Sequence, residues 1–154
     1  MSTYQIIDEP KGSSLSKITV DPMWPLLSFM FGGALFSWAW SALNCLALNS
    51  PNRNKELMLI GAGFVAFILM YLGLGALLAT QTLDSVNPQY IRMIIICVEL
   101  AFVYKIYLTQ QSSFSVYEYF NGKVANPVIG LFLALFVGKG LEAAVITLLL
   151  AGMA

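Results

Sequence analysis

The chain has 154 residues, of which 58% are hydrophobic and only 10% charged, and its eight basic side chains balance its eight acidic ones. A soluble domain is about a quarter charged, so this chain lacks the polar skin that water demands, and its neutral balance excludes the basic field that draws nucleic acid. Having no histidine, it also lacks the base of Ser-His and Cys-His nucleophile pairs and the usual nitrogen ligands of zinc, haem and iron.

Residues 1–23 form a polar N-terminal tail that carries Asp8, Glu9, Lys11, Lys17 and Asp21. No apolar signal-peptide core precedes a cleavage site there. Four apolar segments follow, at 24–48, 57–79, 91–108 and 128–151, each near the roughly 17–25 residues that cross a bilayer. Pro22, Pro25, Pro51, Pro88 and Pro127 fall at or just outside their ends, where a helix tolerates proline. The expected fold is an all-α integral membrane protein, a four-transmembrane-helix bundle with short loops over residues 24–154. The stretch 109–127 reads as a loop in which 115–123 is at most a short helix lying on the interface.

Four crossings put both termini on one side, here side A, opposite side B with the 49–56 and 109–127 loops. Lys11, Lys17 and Arg92 then flank side A, and Arg53, Lys55, Lys105 and Lys123 flank side B. The positive-inside rule favours side B as cytoplasmic by a single residue. Trp24 and Tyr90 on side A, and Tyr107, Tyr117 and Tyr119 on side B, match interfacial aromatic belts. The expected location is the bacterial inner (plasma) membrane, with the lipid bilayer as the first partner and no nucleic acid.

Small residues recur where helices must approach closely in lipid. The first segment has Gly32, Gly33 and Ala34; the second has Gly61, Gly63, Ala66 and Gly73; the fourth has a helix-packing ridge of Gly130, Ala134 and Gly138, spaced four apart. These predict bundle packing and a face for a homo-oligomer or another membrane subunit.

Three charged residues lie deep in apolar segments: Glu99, Lys139 and Glu142. Counted at 1.5 Å per residue, Glu99 sits ~12 Å from side A and Lys139 ~16 Å from side B, which are matching depths if the last two helices are neighbours. Glu142, three residues after Lys139, reaches the same ammonium. The expectation is one intramembrane charge cluster, read either as a register-fixing ion pair or as a polar site for an ion or proton. Gly138 and Gly140 around Lys139 mark a place where the last segment can bend or turn back. Cys45 and Cys97 differ too much in depth for a disulfide.

The sequence carries no phosphate loop or zinc-protease helix, so no enzyme, cofactor or metal is expected. Its size and central acidic residue resemble the small multidrug transporters, which keep their glutamate in the first helix; the first helix here has no charge. The leading expectation is a small polytopic protein acting by helix packing and partner binding, as a subunit, anchor, accessory or immunity-type factor. The alternative is a small ion- or proton-coupled transporter or channel using Glu99, Lys139 and Glu142.

Overall fold

The computed structural model describes residues 15–50, 52–81, 83 and 85–152; residues 1–14, most of the polar tail, lie outside it. The described chain is helical: α1 (Met23–Leu48), α2 (Arg53–Ala79), α3 (Pro88–Tyr119), α4 (Val128–Leu133), a π-helical turn (Ala134–Gly138) and α5 (Lys139–Ala151). A short 3-10 turn, Ser16–Ile18, precedes them. By length and composition, Met23–Leu48, Arg53–Ala79 and Val128–Ala151 are apolar enough to cross a membrane, and α3 is a fourth long helix.

The first of these does not run straight. Gly33 in its middle has φ 79° and ψ −177°, a region that only glycine occupies readily. Ser37 Oγ donates to Pro25 O at 2.7 Å, and Val20 N donates to Asn44 Oδ1 at 2.9 Å. In a straight helix Pro25 and Ser37 would stand about 18 Å apart. α1 is therefore a helical hairpin that reverses at Gly33, with arms over 23–32 and 34–48. The longer arm spans only about 22 Å, short of a 30 Å hydrocarbon core. This corrects the single crossing expected over 24–48.

The hairpin lies at the centre, with α2, α3 and the last helix packed around it. Its base is at the B end. There Thr19 O accepts from Ala125 N at 2.7 Å, the Tyr117 hydroxyl donates to Lys123 O at 3.0 Å, and Leu48 packs with Phe114 and Tyr117. α2 then runs from the B end to the A end, α3 returns, and α4–α5 leads back to the A end. Leu15 and Gly152 consequently lie at opposite ends of the bundle. The same-side expectation had rested on a straight first helix.

α3 is 32 residues long and absorbs most of the expected 109–127 loop, including much of the supposed interfacial helix at 115–123. Its buried residues are Ile95, Glu99, Val103, Ile106, Gln110, Phe114 and Tyr117, a repeat of three and four that keeps one face inward along the whole length. The core joins Trp38 of the long arm to Phe64, Phe67 and Phe102, edge to face at 5.3, 6.1 and 6.4 Å. Such arrangements match the positive ring edge to the negative ring face. The ridge is used inside the chain: Gly130 lies against Trp40, while Ala134 and Gly138 lie against Gly32. A side chain at Gly138 would collide with the Gly32 backbone.

Candidate functional site

Between the hairpin tip, α2, α3 and α5 lies a cavity of about 900 Å³. Its A-end rim includes Leu83, Val86, Pro88 and Leu150, and its floor is Gly33. The walls are mostly aliphatic and aromatic. The polar lining comes from Tyr71, Arg92, Glu99, Lys139 and Glu142.

The three charges anticipated from the sequence thus share one cavity, but not as an ion triad. α3 and α5 do not pack backbone against backbone: the hairpin and α2 each pack on both, and the cavity lies between them. The last two long helices are not neighbours, and Glu99 and Lys139 form no ion pair. Glu99 is only 4% exposed, and its Oε1 has no hydrogen-bond partner; the Tyr71 hydroxyl lies beside its carboxyl group. Lys139 lines the same cavity.

Glu142 does something else. Its carboxylate is tucked against Gly33 and accepts from the Leu35 amide at 3.3 Å. Leu35 stands in the first turn of the 34–48 arm, whose unpaired amides and dipole favour an anion. The carboxylate therefore caps a helix that begins in the interior. It meets glycine because any Cβ at Gly33 would be driven into the carboxylate. The π-helical turn at Ala134–Gly138 lies just before Lys139. Such turns insert a residue into a helix and often accompany functional positions. The turn does not reverse the chain: the break anticipated near Gly138 and Gly140 lies instead at Gly33, in another helix.

Below the tip, the hairpin is polar inside. Ser28 and Ser37 both donate to Pro25 O, Gln110 Nε2 donates to Ser41 O at 2.8 Å, and Asn44 holds Val20. Asn44 Nδ2, Gln110 Oε1 and Thr19 Oγ1 are buried without a partner. At the B end Glu56 is fully buried and accepts from Ser50 Oγ at 2.7 Å, leaving Oε2 unpartnered. Sequence reasoning did not place Tyr71, Glu56 or this seam at a site, and read Arg92 only as a flanking charge. One signal was present: Ser37, Ser41 and Asn44 are spaced as one helical face within an apolar segment. Among the described residues no three of His, Cys, Asp and Glu gather as metal ligands would.

No family of known proteins, no curated protein and no solved structure matches this chain.

Proposed function

We propose that the chain is a small membrane transport protein that admits a polar organic solute into a cavity reached from side A. The observation that carries this reading is the cavity itself: a buried carboxylate with an unpartnered oxygen and a lysine with no ion-pair partner among the described residues line the same apolar space. Ionisable groups at membrane depth are expensive and mark substrate or ion pathways. Irregular backbone at that depth is tolerated where it is buried in protein or lines a cavity, and interrupted helices of this kind build transporter sites. The seam beneath the tip adds support, since displacing the hairpin would uncover polar surface leading to the B end.

Side B is the cytoplasmic side in this reading. Folding back the first helix moves Lys17 beside Arg53, Lys55, Lys105 and Lys123, leaving Arg92 near side A, so the positive-inside margin widens.

Uptake of radiolabelled solutes tests the proposal, using the protein in proteoliposomes and a panel of amino acids, small peptides, organic amines and organic acids. At least one solute should be taken up at a rate that Glu99→Gln abolishes. A single cysteine at Ala143, in a background with Cys45 and Cys97 replaced by serine, should react with an impermeant maleimide from one side only. No uptake of any solute sinks the reading.

A second reading has its own observation. Gly61 and Gly73 have nothing within 4 Å of an added Cβ, and they lie on the exposed part of α2 with Met58, Val65 and Leu69. Close approach over small residues drives helix association in lipid. This face, rather than the spent ridge of Gly130, Ala134 and Gly138, is the one for a homo-oligomer or another membrane subunit.

A further inference from the structure

We infer that the cavity binds a zwitterion on an apolar body, its ammonium on Glu99 and its anionic group on Lys139. The inference rests on the binding role proposed above and names the ligand's chemistry.

Glu99 comes first because a carboxyl group 4% exposed with an unpartnered oxygen calls for a donor. Leaving a buried charged or polar group unmatched is costly, and the Tyr71 hydroxyl alone leaves Oε1 open. Lys139 is the chemical complement on the cavity lining, but the helices that carry the two residues are not packed neighbours, and the two groups form no ion pair. A ligand with charge at both poles complements them.

Glu142 does not compete for the ammonium. Its carboxylate is engaged by the Leu35 amide at the start of the long hairpin arm. Among the described residues that leaves the Glu99 carboxylate and the Lys139 ammonium on the cavity lining, with Arg92 on α3 nearer the rim. A simple amine would match Glu99 and leave Lys139 bare. A simple acid would do the reverse. A zwitterion satisfies both while bringing no net charge into a low-dielectric site, where an uncompensated charge is heavily penalised.

The walls supply the apolar part. Phe29, Leu74, Ile95 and Ile146 surround the polar poles, and about 900 Å³ lies in the range of ligand pockets of roughly 300–1,000 Å³. The same chemistry has two sources: a free solute of the amino-acid type, or an aminophospholipid headgroup that enters with its chain.

The test compares three probes that share one phenethyl body on the full chain in phosphatidylglycerol nanodiscs. Phenylalanine has both charges, phenethylamine only the ammonium, and 3-phenylpropionate only the carboxylate. A parallel arm offers phosphatidylethanolamine and reads retention by native mass spectrometry. Either phenylalanine or phosphatidylethanolamine should bind, and the arm that succeeds identifies the source. In the solute arm each singly charged analogue should bind at least tenfold more weakly than phenylalanine. Glu99→Gln should weaken the zwitterion and the amine but spare the acid, and Lys139→Met should weaken the zwitterion and the acid but spare the amine. In the lipid arm both variants should lose retention. The inference falls if neither zwitterion binds, if a singly charged analogue binds as tightly as phenylalanine, or if both variants leave zwitterion binding unchanged. The comparison among probes needs only the parent protein, so a variant that fails to fold does not blunt it. One-sided labelling at the Ala143 position without zwitterion binding overturns this inference alone; binding without uptake into proteoliposomes overturns transport alone.

Discussion

Replacing Gly33 with alanine strikes the hairpin at its turn. Two costs arise from the geometry. The backbone there, φ 79° and ψ −177°, lies in a region that side-chain-bearing residues enter at about 1–3 kcal/mol. The new methyl group also occupies the place of the Glu142 carboxylate. Moving that group away forfeits its hydrogen bond to the Leu35 amide, and a bond to a charged group contributes about 1.5–3 kcal/mol. The expected loss is therefore about 2.5–6 kcal/mol, a large part of the roughly 5–15 kcal/mol that holds an ordinary domain together. Chemical unfolding in mild detergent, followed through tryptophan emission, measures it, since Trp38 is in the core. Gly61→Ala is the control: it meets nothing within 4 Å and should gain up to about 1 kcal/mol from helix propensity. Adding Glu142→Ala to Gly33→Ala should cost less than the sum of the separate losses, because the clash and the lost bond are one event. A Gly33→Ala protein within about 0.5 kcal/mol of the parent, the size of an ordinary surface change, would refute the hairpin turn and its carboxylate cap.

Single cysteines at Ser16 and Gly152 should label from opposite faces of oriented vesicles; labelling from the same face would restore a straight first crossing. Gly138→Leu should unfold or expand the single chain, because it presses on the Gly32 backbone, and a stable monomer that only fails to assemble would contradict this packing. Gln110→Leu should cost about 1–3 kcal/mol by leaving polar groups of the hairpin unmatched, read as a lower unfolding midpoint. Asn44→Ala should free the Val20 amide that it holds, seen as faster hydrogen exchange there while the α2 core amides stay protected.

Composition determined the material of this fold without ambiguity. Few charges and long apolar runs bounded by prolines, with no polar–apolar alternation, point to helices long and apolar enough to cross a membrane. The positions of α2 and the last helix followed from their apolar runs. That Glu99, Lys139 and Glu142 lie at one level along the bundle was legible too, because 1.5 Å per residue is fixed by helix geometry, and all three line one cavity. The length of α3 was written in the stripe from Ile95 through Gln110 and Phe114 to Tyr117, but hydropathy hides it behind polar neighbours such as Gln111, Ser112 and Ser113. The partner of each charge was not legible. Gly32 and Gly33 read equally well as a packing notch or as a turn, since glycine permits both and the choice depends on what meets it. Glu142 meets it from over a hundred residues away and makes the turn favourable by capping the arm that starts there. With that hairpin and α2 each packed on both α3 and α5, Glu99 and Lys139 form no ion pair, and a cavity lies where the sequence implied one.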